Sequence, residues 1–175
     1  MKTLSSTAVL LTLLMAAGCK TTAPAGGSLT LQQIQNTGYD SEWPANRRAK
    51  LRNGAYRERY TFGSNELVIW LSQKVAFGDL NGDGARDAAV VLIADPGGSG
   101  TFFNLAVVLN ENGQPRHVAS TPLGDRVKIE SLSINDRRIM VEMFVRGPGD
   151  PKDNPTLRVT RVFTFETGRL AEVTK

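Results

Sequence analysis

The chain has 175 residues, of which 41% are hydrophobic and 22% are charged, and its formal net charge is +4 at pH 7. That mild positive excess gives no support to a nucleic-acid-binding protein, because 17 acidic residues nearly balance 21 Lys and Arg. The chain contains a single cysteine, which excludes an internal disulfide.

Residues 1–18 have the composition of a signal peptide for export. Lys2 supplies a short positive start, residues 9–17 are apolar but too few to span a bilayer, and small residues lead to Cys19. The ending LMAAGC resembles the lipobox of bacterial lipoproteins, although Ala16 stands where leucine is commonest. This resemblance implies that Cys19 is lipidated and becomes the first residue of the mature protein. The alternative is an ordinary signal peptide followed by an unmodified cysteine.

Lys20 follows the cysteine, where lipoproteins retained in the inner membrane of enteric bacteria carry Asp. The resemblance therefore implies an outer-membrane protein, anchored through acyl chains at Cys19 on the periplasmic side or the cell surface. The small, polar segment KTTAPAGGS predicts a flexible tether over residues 19–28. Residues 29–175 remain, enough for a single β-rich domain with its own core.

The first elements of this domain are predicted from local patterns. Thr30 and Gln33 have the spacing of a capping box, and Gly38 fits a C-terminal stop, so one short N-terminal helix is expected. Asn53-Gly54 lies between two short alternating runs and predicts a tight hairpin turn.

Strand-like runs then follow at short intervals, separated by segments rich in Gly, Pro, Asn and Asp. They cover residues 67–71, 74–77, 88–94, 102–109, 116–121, 127–134, 139–145, 157–165 and 170–173. Several connections are short enough only for antiparallel neighbours. We therefore predict a mainly β domain, with an antiparallel sheet that is open or partly closed as a sandwich or barrel.

The segment FGDLNGDGARDAAVVLI carries the clearest chemistry in the chain. Counted from Asp79, side-chain oxygens fall at positions 1 (Asp79), 3 (Asn81), 5 (Asp83) and 9 (Asp87), and Ala85 at position 7 offers its carbonyl. This is the spacing of an EF-hand-type loop, in which such oxygens converge on one calcium ion. Zinc is disfavoured because no His or Cys is nearby, and magnesium because it demands tight octahedral geometry.

Position 12 of the loop is Val90, so the acid that completes a helix–loop–helix EF-hand is missing, and the predicted flanks are strands. Over residues 77–91 the segment resembles the loops of FG-GAP and related repeats, in which D-x-N-G-D-G-x-x-D ties two adjacent strands. We expect calcium to act as a structural staple, and an Asp/Gly-rich turn without an ion is the alternative. The motif occurs once, which argues against a whole β-propeller.

A wider resemblance covers about residues 67–175. The segments FGDLNGDGARDAAVVL, GGSGTFFNLAVVLN, LGDRVKIESLSI and GPGDP…PT, in that order, are similar to a domain of secreted bacterial proteins that is sometimes found beside META-type domains and has no established activity. In that family a vicinal cysteine pair often precedes Pro-Thr, whereas this chain has Asp153-Asn154. A disulfide or redox role tied to that pair is therefore not expected here.

Other candidate sites have simpler structural explanations. His117, the sole histidine, has no nucleophile or orienting acid nominated by a motif, so a structural role is expected. GGSGT lacks the lysine and the helix of a phosphate-binding loop and predicts a glycine-rich turn or bulge. A basic group around the Asn-Gly turn could contact an anionic envelope polymer, but more simply forms a solvated hairpin protected from edge pairing. It comprises Arg47, Arg48, Lys50, Arg52, Arg57 and Arg59.

Taken together, the sequence predicts a lipid-anchored, non-enzymatic binding or accessory module that holds one calcium ion and has a polymer or protein partner in the envelope. The alternative is an inhibitor or ligand-capturing lipoprotein, for example one that blocks a host lytic enzyme. The segment RGPGDPKDNP is then the candidate for a protruding inhibitory loop. A hydrolase is the third hypothesis, and it requires a pocket with convergent titratable groups away from the acidic loop.

Overall fold

The computed structural model of the chain describes residues 27–60, 65–98 and 100–173. The predicted signal peptide, Cys19 and most of the predicted tether lie outside these residues. Within the described ranges, no helix combines the length and the apolar character needed to cross a membrane.

The described part of the chain begins with a short helix and a two-stranded sheet. Helix α1 (Leu31–Gln35) starts at the predicted capping box, in which Thr30 and Gln33 satisfy each other's backbone N–H groups. The helix ends at Asn36, whose amide donates to the carbonyl of Gln32 across 2.8 Å, and not at Gly38 as predicted. Gly38 instead opens β1 (Gly38–Asp40), which pairs antiparallel with β2 (Arg48–Lys50).

Two larger antiparallel sheets form the body of the domain. The five-stranded sheet has the order β3-β4-β5-β6-β7, and its strands are β3 (Ala55–Arg59), β4 (Glu66–Gly78), β5 (Asp87–Asp95), β6 (Phe102–Glu111) and β7 (Gln114–Asp125). The four-stranded sheet has the order β11-β10-β9-β8, and its strands are β8 (Lys128–Asn135), β9 (Arg138–Val145), β10 (Leu157–Glu166) and β11 (Arg169–Glu172). The predicted fold class, mainly β and antiparallel with one short helix, is confirmed for the described residues.

Strand β5 is buried on both faces of the five-stranded sheet, which explains why residues 88–94 are all apolar. Its residues Ala89, Val91 and Ile93 belong to the core between the two large sheets, together with Val141 of β9 and Phe163 of β10. The alternate β5 residues, Ala88, Val90, Leu92 and Ala94, pack in a second core with Ile34, Tyr39 and Leu51 from the N-terminal segment. The four-stranded sheet and the N-terminal segment therefore cover β5 on its two faces, and the acidic loop leads directly into this most buried strand.

The structure differs from two of the predictions, one about a pair of strands and one about a hairpin. The predicted runs 67–71 and 74–77 are one continuous strand, β4, interrupted by a bulge between Leu71 and Val75. Asn53 and Gly54 form the predicted tight turn, with φ of 50° and 84°. Only the bridge between Arg52 and Ala55 closes that turn, because β2 pairs with β1 and β3 pairs with β4.

Candidate metal site

The acidic loop is the hairpin connection between β4 and β5. The last strand pair before the loop joins Gly78 to Asp87, so residues 79–86 form the connection itself. Leu80 turns inward and is only 1% exposed, as part of the core between the large sheets. The structure therefore holds both ends of the loop and one internal side chain in fixed positions.

Side-chain oxygens of the loop accept hydrogen bonds from the backbone N–H groups of the same loop. The carboxylate of Asp79 accepts the backbone N–H of Gly82 at 2.7 Å and that of Gly84 at 3.0 Å. The carboxylate of Asp83 accepts the N–H of Ala85 at 2.7 Å. Gly84, at position 6, has φ of 81°, in the left-handed region that glycine enters at least cost. The predicted sharp turn at this glycine is thus present.

Asn81 lies between the two aspartates of the loop. Its side-chain oxygen accepts the N–H of Asp83 at 3.0 Å, and its amide donates to the Asp83 carboxylate at 2.8 Å. Asn81 and Asp83 are both exposed, and Asp79 is half-buried. The side chains at positions 3 and 5 therefore bond to each other, whereas the carboxylate at position 1 bonds to the loop backbone.

Asp87 differs from the other acids because it is completely buried. One of its carboxylate oxygens accepts the backbone N–H of Leu80 and the other accepts that of Asn110, each at 2.9 Å. Burial raises the pKa of Asp87, the two backbone hydrogen bonds partly counteract this, and the charges of Asp83 and Asp79 raise the pKa further. Asp87 thus ties the loop to the end of β6 while it remains in the electrostatic field of the exposed acids.

The donor set matches the chemistry of calcium, and the arrangement shows what binding would require. Among the described residues, no three Asp, Glu, His or Cys side chains come together closely enough to hold a metal ion. Each carboxylate oxygen has a further lone pair after accepting one N–H, so Asp79, Asn81 and Asp83 keep acceptor capacity. With the carbonyl of the buried Ala85 they would supply hard oxygens to a cation, and the buried carboxylate of Asp87 would add charge.

Basic side chains do not neutralise this loop through ion pairs in the described part of the chain. The salt bridges found there involve other acids, and none includes Asp79, Asp83 or Asp87. Arg137, in the turn between β8 and β9, approaches the loop backbone, since a Cβ atom added at Gly82 would lie 2.9 Å from its Nη1. No ion pair among these residues offsets the mutual repulsion of the carboxylates, although the guanidinium of Arg137 lies close to Gly82, and a bound cation would offset this repulsion further.

His117 lies on β7 and belongs to a hydrogen-bonded group that no sequence motif predicts. Its Nε2 lies 2.8 Å from the hydroxyl oxygen of Ser120, and its Nδ1 lies 3.7 Å from the carboxylate of Asp40 on β1. A bulge between Val107 and Val108 on the β6–β7 ladder places His117 and Ser120 on the same face of the sheet. The three residue types are those of a catalytic triad, so their protonation pattern matters.

The hydrogen bonds place the ring proton of His117 on Nε2, the nitrogen that would have to be unprotonated to act as a base on Ser120. The backbone N–H of Asp40 donates to Nδ1 of His117 at 3.2 Å, so Nδ1 carries no proton and Nε2–H donates to the Ser120 hydroxyl. In a triad the pattern is reversed: Nδ1–H donates to the acid and Nε2 accepts the serine proton. The side chain is only 3% exposed, and this burial lowers the pKa of His117. In this tautomer the imidazole joins β1 to β7 through hydrogen bonds, and its burial favours the neutral form.

The other predicted segments are ordered by their own contacts. In the basic group, Arg48 pairs with Asp40 at 2.6 Å and Arg57 pairs with Glu66 at 3.0 Å, and the group is spread over β2, the Asn-Gly turn and the edge strand β3. In the segment RGPGDPKDNP, the Asp150 carboxylate accepts the N–H groups of Gly147 and Thr156, each at 2.8 Å. These hydrogen bonds lower the pKa of Asp150.

No sequence pattern predicted that Leu80 and Asn110 would be the hydrogen-bond partners of Asp87. Asn110 lies 23 residues from Asp87, and only the pairing of β5 with β6 brings the two together. No pattern within the loop signals such a contact.

No protein-family model, curated protein or solved structure matches this chain.

Proposed function

We propose that this protein is a lipid-anchored module of the bacterial cell envelope, non-enzymatic, whose β4–β5 loop binds one calcium ion as a structural staple. The proposed ligands are Asp79, Asn81, Asp83 and the carbonyl of Ala85, with Asp87 closing the site by its charge or by direct coordination. The observation that carries the proposal is the concentration of three carboxylates and one amide in a single hydrogen-bonded hairpin loop. Without a cation, the neighbouring carboxylates of the loop repel one another, and a bound cation would reduce this repulsion.

Calcium bound there would stabilise the junction between the two large sheets. The loop is joined to the core through Leu80 and to the end of β6 through Asp87 and Asn110. A ligand that binds only the folded protein stabilises it by about 2.7 kcal/mol at a hundredfold excess over its Kd. For a domain without disulfides this increment is a substantial part of the total stability.

The anchor is proposed from the lipobox-like segment and from Cys19, the single cysteine of the chain. Membrane extraction and intact mass of the protein expressed in a bacterium test this part. The wild-type protein should carry an acyl-modified cysteine and partition with membranes, whereas Cys19→Ser should do neither. An unmodified wild-type cysteine contradicts the anchor and leaves the metal proposal untouched.

The metal proposal is tested by thermal unfolding of the chain without residues 1–18, in calcium, magnesium or chelator. Calcium should raise the midpoint by several degrees, since each kcal/mol shifts the midpoint of a domain of this size by about 2–4 °C. Asp83→Asn should abolish the rise. Asp153→Asn, an exposed acid outside the loop, is the matched control and should retain it. A wild-type midpoint that is the same in calcium and chelator refutes the proposal.

A second candidate, an inhibitor of a lytic enzyme, is favoured by one observation. The hydrogen bonds of the Asp150 carboxylate to Gly147 and Thr156 order the backbone of the 146–156 loop. The exposed residues of this loop, Lys152, Asp153 and Asn154, are therefore held in place before any partner binds. Titration of purified host lysozyme with the protein tests this candidate. Inhibition that is lost in an Asp153→Ala variant supports it, and full lysozyme activity at excess protein contradicts it.

A further inference from the structure

The end of the domain opposite the acidic loop contains an open cleft between the two large sheets. It is formed where β6 begins, where β7 passes into β8, and where the 146–156 loop joins β9 to β10. The acidic loop contacts the other end of β6, through Asn110. Ten strand residues separate the two ends, which corresponds to about 30 Å. This cleft is therefore distinct from the proposed metal site.

The cleft has a volume of about 730 Å³, within the range of about 300–1,000 Å³ that is usual for small-molecule sites. Its apolar lining comes from both sheets: Phe103 on β6, Val127 between β7 and β8, and Phe144 on β9. Val127 is buried in the main core, and the two phenylalanines are half-buried. The cleft thus reaches the core between the sheets at Val127 and Phe103. Phe144 belongs to neither core and lines the cleft from outside the core.

Cations line the apolar part of the cleft. Arg126 and Lys128 flank Val127 in sequence, and Asp153 is the only acid that lines the same cavity among the described residues. Lys128 lies with its ammonium group 5.3 Å from the centre of the Phe144 ring, and its side chain is 67% exposed. Its nearest carboxylate partner is the surface residue Glu130, at 3.5 Å. Two cations and one acid therefore line the cleft beside aromatic surface, and each cation has an acid partner outside the lining.

Arg126 also lines a second, smaller cavity of about 370 Å³, which continues the cleft. Arg146 and Lys152 add two further cations there, and Asp125 adds one acid. Positive charge therefore predominates along both cavities, whereas carboxylates predominate in the loop at the other end of the domain.

The backbone at the cleft is fixed before any ligand arrives. Arg126 adopts φ of 50°, and its N–H donates to the carbonyl of Thr101 at 2.7 Å. Asp125 accepts the N–H of Thr101 at 2.8 Å and the guanidinium of Arg126 at 2.7 Å. A non-glycine residue in this conformation costs energy that the surrounding contacts must offset, and such strain clusters at binding sites.

We propose that this cleft binds a single-chain amphiphile with a carboxylate head, such as a long-chain fatty acid. Phe103, Val127 and Phe144 would contact the hydrocarbon chain, and Lys128 and Arg126 would bind the head group. Arg126 already contacts Asp125 at 2.7 Å and Lys128 contacts Glu130 at 3.5 Å, so a singly charged carboxylate would share these cations more readily than a doubly charged phosphate. Charge-assisted hydrogen bonds to a carboxylate are also stronger than those to a neutral group. The proposal requires neither the calcium ion nor the lipid anchor.

The test is calorimetric titration of the chain without residues 1–18, in chelator, with sodium dodecanoate below its micellar concentration. Dodecanol, dodecyl phosphate and acetate are titrated in parallel, to separate the contributions of the head group and the chain. We expect dodecanoate to bind with a stoichiometry near one, dodecanol at least tenfold more weakly, and acetate not measurably. Phe144→Ala should weaken dodecanoate about tenfold or more.

Lys128→Gln separates the head-group contact from general hydrophobic binding. It should weaken dodecanoate several-fold while leaving dodecanol unchanged, and Lys74→Gln, an exposed lysine on β4, should change neither. Thermal midpoints of all variants verify that they fold. Equal affinity for dodecanoate and dodecanol, tighter binding of dodecyl phosphate than of dodecanoate, or wild-type affinity in folded Phe144→Ala would each overturn the assignment. The result does not depend on calcium, so its failure leaves the metal proposal standing.

Discussion

The carboxylate of Asp87 accepts the backbone N–H of Asn110 across 2.9 Å, and this buried contact joins the acidic loop to the end of β6. The second oxygen of the same carboxylate accepts the N–H of Leu80. Asp87 therefore has a structural task that Asp79, Asn81 and Asp83 do not share. Substitutions of Asp87 and of the other loop residues should therefore have different effects on the stability of the protein.

Asp87→Asn should destabilise the protein even in chelator. The amide offers only one oxygen, so one of the two buried N–H donors loses its acceptor, at a cost of about 1–3 kcal/mol. Removing a buried charge offsets part of that cost. Urea unfolding in chelator measures the effect, with Asp83→Asn as the matched exposed control, expected to change stability by about 0.5 kcal/mol or less. Equal losses in the two variants would contradict the assigned role of Asp87.

The stability of the protein should fall below neutral pH because of His117. Burial lowers the pKa of this side chain below its ordinary value of 6.5, so the unfolded chain binds a proton more readily than the folded protein. The stability that depends on neutral His117 is therefore complete above pH 6.5 and is lost as pH falls through the lower, folded pKa.

Urea midpoints between pH 5 and pH 8 measure this dependence, and His117→Gln, which cannot titrate, should flatten it. The charges nearest the ring are Asp40, which favours protonation, and Arg48, which opposes it. An unchanged pH profile in the variant would assign the dependence to other groups.

Asp150→Ala should loosen the 146–156 loop without unfolding the domain. The carboxylate accepts two backbone N–H groups and the hydroxyl of Thr156, and these contacts hold its pKa below the ordinary value. Hydrogen exchange at the amides of Gly147 and Thr156 should become faster in the variant. In the wild type the same protection should persist above the ordinary Asp pKa and disappear as pH falls through the lowered pKa. Slow exchange in the variant would show that the loop has other restraints.

Gly78→Ala should destabilise the contact between β4 and β8. An added Cβ would lie 2.6 Å from Cγ2 of Ile134, and overpacking of this kind typically costs about 1–3 kcal/mol. Combining it with Ile134→Ala should cost less than the sum of the two single changes. Gly98→Ala is the control, because nothing lies within 4 Å of its added Cβ. Strict additivity in urea unfolding would contradict close packing at this position.

Much of the fold follows from patterns within a few residues. The capping box at Thr30 and Gln33, the turn at Asn53-Gly54 and most strands lie where the sequence predicts them. Such features depend on local hydrogen bonds and on the φ values that Asn and Gly tolerate, so neighbouring residues specify them. The alternation of residues 127–134 looks imperfect because β8 contains a bulge between Ile129 and Ser131.

The spacing of Asp79, Asn81, Asp83 and Asp87 was likewise determined by the sequence alone, and with it the chemistry of a hard-oxygen loop. Only the tertiary structure decided that Asp87 faces two backbone amides, that His117 meets Ser120 and Asp40, and that Arg126, Lys128 and Phe144 surround one cleft. The physical reason is distance along the chain. Turn and cap geometry is encoded by adjacent residues, whereas the partners of a buried charge or a cavity wall are set by the register and packing of strands that are far apart in sequence.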